Sequence, residues 1–153
     1  MGLDMFLYGV KSNEDRTEGV WEEVCYWRKA NHIHKWFSDR FIKDQGKFGY
    51  YAVSEVDLQS LLLQLKLLKK IKDEEKDFEL VETNLLKKER KKGYYRGDAN
   101  HIAEAIFPPD AFGCFFGYGF IDDWYWESID DTIEKLTEVL KDNYDYFFYH
   151  ASW

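Results

Sequence analysis

Met5 to Lys11 (MFLYGVK) is an apolar run of strand length, closed by the polar cluster Ser12-Asn13-Glu14-Asp15. From Glu18 to about Asp44 the rhythm changes. Tyr26, Ala30, Ile33, Phe37 and Phe41 recur at spacings of three and four, which predicts one long helix with a buried stripe, stopped at Gln45-Gly46. Phe48 to Ser54 (FGYYAVS) predicts a second strand. Ser54 is a good N-cap, and Asp57 stands where a capping-box acid belongs. The helix it opens, Glu55 to about Asp73, carries Val56, Leu58, Leu61, Leu62, Leu65, Leu68 and Ile71. Lys72 to Lys92 mixes charges of both signs around Phe78, Val81, Leu85 and Leu86, predicting a third helix with a solvated face, ended by Gly93.

Asp98 caps a short helix through Phe107, halted by Pro108-Pro109. Phe112 to Gly117 (FGCFFG) has the composition of a third strand, its glycines marking bends or close approach. Asp122-Asp123 precede a helix to about Asp142 that contains Trp124, Ile129, Ile133, Leu136 and Leu140. Tyr144 to Ser152 (YDYFFYHAS) is a last strand before Trp153. No repeat or low-complexity linker divides the 153 residues, so a single domain, 1–153, is expected. Its class is α+β: a small, mostly antiparallel sheet of about four strands with four or five helices packed on it.

Composition sharpens this picture in one respect. Rings make up 19% of the chain, enough to fill a core and still line a surface that stacks on flat groups. The net charge of −8 argues against a nucleic-acid polymer, whose phosphates call for a basic surface. A small phosphorylated ligand needs only two or three local cations and stays open. Cys25 and Cys114 are isolated, which favours a reducing compartment and gives no zinc framework. Asp4 interrupts the first apolar stretch, so no signal peptide is expected. The longest run without charge or proline, Ala111 to Ile121, is too short to span a bilayer. A cytoplasmic protein without membrane contact is the expectation.

The block CYWRKANHIHKWF (25–37) holds the densest potential chemistry. On the expected helix, Trp27, Asn31 and His34 (i, i+4, i+7) share a stripe beside the buried one, flanked by Arg28 and Lys35. An indole, an amide, an imidazole and two cations would suit a nucleotide-like or phosphorylated small molecule. The competing reading makes Trp27 and His34 packing residues and has Asn31 bonding a neighbouring loop. Trp124, Trp126 and Trp153 are candidates to complete the site. His32 and His34 face different sides of a helix and cannot chelate one metal. Asp98, His101 and Glu104 make only a partial metal set, so neither metal nor cofactor is expected. GxSxG, HExxH and GxxxxGK[ST] are all missing, the glycines at 113, 117 and 119 fit no dinucleotide fingerprint, and Arg96-Gly97-Asp98 is a chance tripeptide.

The opening MGLDMFLY, the block YWRKANHIHKWF, the YYAVS strand, CFFG at 114–117, DDWYWESI at 122–129 and the closing YFFYHASW resemble a family of small, uncharacterised bacteriophage and prophage proteins. The likeness covers the chain except about Lys72 to Gly93. It implies a phage gene acting in the cytoplasm of a bacterial host, and it supplies no catalytic residue. The setting suggests anti-defence work by analogy. Three expectations follow. The first is binding of a small nucleotide-like ligand without turnover, sequestering a host defence signal. The second is inhibition of a host protein by direct contact. The third is a small hydrolase with His34 as general base. Pairing with a second copy to complete a pocket is compatible with each.

Overall fold

The computed structural model of the chain describes residues 2–12, 19–44, 48–84, 98–109 and 119–153. Their order is β1 (Asp4–Lys11), β2 (Val20–Arg28), α1 (Asn31–Phe41), β3 (Tyr51–Val53), α2 (Glu55–Asn84), α3 (Asp98–Ile106), α4 (Asp123–Val139) and β4 (Tyr146–Ser152). The strands form one sheet in the order β2-β1-β4-β3, with every pairing antiparallel. The expected α+β architecture is the observed one, with four strands and four helices among the described residues.

The expected helix from Glu18 to Asp44 is overturned. Its first half is strand β2 and only its second half is helix α1. Val20, Trp21, Val24, Cys25, Tyr26 and Trp27 are β-branched, aromatic or sulfur-bearing residues suited to a pleated surface. Over the last four residues burial alternates, Cys25 and Trp27 inside, Tyr26 and Arg28 outside. The helical period holds only from Ala30 onward. Between the two elements Lys29 turns the chain at φ 54, a left-handed conformation unusual away from glycine, and its N–H donates to Leu3 O at 2.7 Å. Phe6 and Tyr26, Leu7 and Cys25, then Tyr8 and Glu23 are register partners, so Val24 is the extra residue of a bulge.

The two helices expected on either side of residue 72 are one. Helix α2 runs through to Asn84 because Lys72, Asp73, Glu74 and Glu75 include good helix formers and neither glycine nor proline interrupts them. Its start is as expected: Ser54 N donates to Asp57 Oδ2 at 3.0 Å and Asp57 N to Ser54 Oγ at 3.1 Å, a reciprocal capping box. Helix α4 is capped by Asp122, whose Oδ1 accepts from Tyr125 N at 3.0 Å. The expected strand at Phe112–Gly117 lies outside the described residues, as do Leu85, Leu86 and Gly93.

One face of the sheet carries Met5, Leu7, Cys25, Trp27, Val53, Phe147, Tyr149 and Ala151, all buried in one cluster with Ile33 and Phe37 of α1, Leu58, Leu61, Leu65 and Leu68 of α2, and Ile129 and Leu136 of α4. Gly9 shares that face. A Cβ there would come within 2.5 Å of the Tyr144 ring, so glycine is what lets Tyr144 lie flat over β1.

Candidate functional site

The three residues that sequence spacing placed on a wet helix edge are inside the protein. Trp27 is 3% exposed, Asn31 and His34 0%. Trp27 belongs to β2 and not to the helix, so the i, i+4, i+7 stripe does not form. Its Nε1–H donates to Thr132 Oγ1 at 2.9 Å, while Thr132 Oγ1 donates to Ser128 O at 2.7 Å. His34 Nδ1 lies 2.7 Å from the Tyr149 hydroxyl. These bonds join β2 to α4 and α1 to β4, as buried polar groups must be satisfied. Removing the indole donor should therefore act on stability: Trp27→Phe is expected to cost about 1–3 kcal/mol in urea unfolding, because Thr132 loses its buried partner.

The remaining candidates scatter. Arg28 is exposed at the end of β2, opposite Asp4. Lys35 pairs with Asp39 at 3.0 Å on the surface. Trp153 meets the His34 ring edge-on at 5.7 Å, a contact that brings two distant members of the expected set together. Trp124 is 40% exposed and sits edge-on to the His32 ring. Trp126 donates from Nε1 to Asn100 Oδ1 at 2.9 Å and walls a groove of about 340 Å³ between α2 and α4. Lys69, Lys72, Asp73, Asp123, Glu127 and Asp130 line the rest, four carboxylates against two ammoniums. Lys69 is bound to Asp130 at 2.8 Å and Lys72 stands over the Trp126 ring. Among the described residues no three metal-ligating side chains converge, and no helix is long and apolar enough to cross a membrane. Burial pushes the Cys25 thiol up to about 12, which keeps it protonated and unreactive.

Sequence spacing missed the most unusual surface. The sheet face opposite the helices carries Phe6 and Tyr8 of β1, Trp21 and Tyr26 of β2, and Phe148 and His150 of β4. Tyr50, immediately before β3, joins them. Their rings form one contiguous layer. Phe6 lies 5.3 Å from Tyr26 and 6.1 Å from Tyr8 and His150 between centroids. Trp21 stacks on Phe148 at 4.6 Å and 17°, and Tyr50 stacks on His150 at the same distance and angle. Each stack occupies one face of its upper ring and leaves the other outward, with Trp21 49% and Tyr50 57% exposed. No described helix covers this layer. The charges on it are few: Asp4 and Arg28 as cross-strand partners at one end, and Glu23 opposite Tyr8. Asp4 Oδ1 accepts from the Tyr26 hydroxyl at 2.6 Å.

The signal was present in the strands. An antiparallel strand with one solvated face alternates apolar and polar residues, whereas one covered on both faces reads as a continuous apolar run. MFLYGV in β1 and YFFYHA in β4 are of the second kind. No protein-family model, curated protein or solved structure matches this chain.

Proposed function

We propose that this chain is a non-catalytic binding protein that captures a partner protein on the ring layer of its sheet. The carrying observation is the contiguous layer of seven rings that no described helix covers. Exposed apolar patches of this kind mark interaction sites, and tryptophan and tyrosine are the side chains that most often dominate binding energy. The strand edge offers a poorer surface. Lys135 Nζ donates to Tyr26 O at 2.7 Å, and the Val24 bulge with Glu22 and Glu23 discourages another strand from pairing with β2. In a phage gene product, which the sequence resembles, the partner would be a protein of the host cell. Inhibition by direct contact is then the natural mode of action.

A photo-crosslinking amino acid at position 50 tests this in a host lysate, with one at exposed Leu63 of α2 as the control. The expected result is a discrete product from position 50 alone, lost when Trp21 is changed to alanine. Equal labelling from both positions would overturn the proposal.

The small nucleotide-like ligand keeps one supporting observation, the groove beside Trp126 with Lys69 and Lys72. Its volume falls in the range of ligand sites. Its carboxylates oppose phosphate, which ranks this reading second. Calorimetry with cyclic and ADP-ribose-type nucleotides would detect it, and the heat should vanish in Lys72→Ala.

A further inference from the structure

We infer that the ring layer takes its partner by a cationic side chain, a guanidinium or ammonium, seated on the corner formed by Tyr8, Trp21 and Tyr50 with Glu23 at its rim. This rests on the binding role proposed above and names the chemistry of the anchor. The three rings come from β1, from β2 and from the segment before β3, and their centroids lie 5.7 to 6.0 Å apart. Trp21 and Tyr50 meet at 86°, while Tyr8 is inclined to them by 57° and 53°. Their outward π-faces therefore point in nearly perpendicular directions. A flat neutral ring can stack on only one of them. A compact cation, attracted by the negative face of each ring, can meet both, and the indole is the strongest such surface.

The electrostatics select the same chemistry. Glu23 is the cross-strand partner of Tyr8 and is exposed, whereas Glu22 before it faces the helix side and accepts from the Tyr144 hydroxyl at 2.7 Å. The field of Glu23 reaches the ring: after burial and the neighbouring Tyr50, it is the third cause holding the Tyr8 hydroxyl above its ordinary range. Neither strand cation stands at this corner. Lys11 lies 4.8 Å over the Tyr144 ring, on the helix side, and Arg28 stands at the far end opposite Asp4. A phosphate or carboxylate brought to the corner meets the Glu23 carboxylate. A second copy of the chain brings another −8. A basic segment meets complementary charge and, through arginine, a planar group that can stack on Trp21 while its N–H edge reaches Glu23.

Nuclear magnetic resonance of the intact protein can follow the indole N–H of Trp21 and the ring protons of Tyr50. The probes are N-acetyl-arginine methylamide, a triarginine peptide, a triaspartate peptide and adenosine monophosphate. Saturable shifts confined to the corner are expected with the two cationic probes, tighter for triarginine. Glu23→Gln should weaken binding about fivefold, and Trp21→Ala should abolish it; circular dichroism would confirm that both variants fold. Shifts at the corner with the aspartate peptide or the nucleotide, and none with arginine, would sink the cation while leaving the ring layer as the binding face. Silence with every probe, together with a dimer in sedimentation that Trp21→Glu dissociates, would assign the face to a second copy and equally overturn the inference. If position 50 also fails to crosslink, the binding role itself falls.

Discussion

Replacing Tyr149 by alanine is expected to remove about 3–5 kcal/mol of folding stability, the range for deleting a large buried ring. Tyr149 is 0% exposed at the centre of the sheet. Its ring stacks on Phe37 with centroids 4.0 Å apart and planes within 6°, fastening α1 to β4. Its hydroxyl faces His34 Nδ1 at 2.7 Å, so the truncation opens a cavity and strips a buried imidazole of that bond. Tyr149→Phe keeps the stack and loses only the hydroxyl, for about 1–3 kcal/mol. A domain of this size has about 5–15 kcal/mol in all. The alanine variant should therefore lose a large share of its stability and unfold at a clearly lower urea concentration than the phenylalanine variant. Urea titration followed by circular dichroism separates the two. Equal midpoints for both variants would mean that the Phe37 stack carries nothing.

The same ring shows what was legible in the sequence. YDYFFYHAS announces a strand by its density of rings, and β4 begins two residues inside the expected start at Tyr144. The α2 cap was equally plain, because Ser54 and Asp57 form a local device whose spacing is its mechanism. The helix expected over Glu18–Asp44 failed because two elements mimicked one. Tyr26 falls at the helical spacing from Ala30 by accident, and the turn between them rests on Lys29 at positive φ, for which sequence gives no glycine as a marker. The break expected near residue 72 failed for the opposite reason. A change from leucine-rich to charged residues alters which face is wet, not whether the backbone continues.

The binding candidates were harder to read for a tertiary reason. Helix spacing can place Trp27, Asn31 and His34 together only if they share a helix, and β2 ends at Arg28. With Trp27 on β2, its indole N–H joins β2 to α4, and the His34 imidazole joins α1 to β4. The ring layer needed the converse knowledge. Apolar side chains at both parities of β1 and β4 say that both sheet faces want cover, but only the fold reveals that the described helices supply one. Lys69 and Asp130, which meet across the α2–α4 groove, are 61 positions apart and leave no local trace.

Acid should destabilise this protein through His32 before the carboxylates titrate. His32 is 2% exposed, and its Nε2 is hydrogen-bonded to Ser128 Oγ. The single proton of that hydroxyl goes to Tyr125 O at 2.9 Å, so Oγ accepts and the imidazole donates from Nε2 in its neutral form. Around it stand the rings of Tyr125 at 4.4 Å, Trp124 at 6.0 Å and Phe107 at 6.1 Å. Burial among them holds the imidazole down to about 3, against 6.5 for a free side chain. Between those values the unfolded chain binds a proton that the folded chain refuses. The stabilisation is complete above about pH 6.5 and is lost steadily as pH falls toward 3: about 2 kcal/mol by pH 5, and on the order of 5 kcal/mol at the lower end. The depressed carboxyl of Asp145, which accepts from Ser12, acts in the same direction only as pH falls below its ordinary value of 3.8, at the bottom of the His32 window. Urea midpoints measured from pH 7.5 to 4.5 should fall in the wild type and stay level in His32→Gln, whose amide can donate to Ser128 and does not titrate. A flat wild-type profile over that interval would show that the folded protein admits the proton, and that the cage around His32 opens to water.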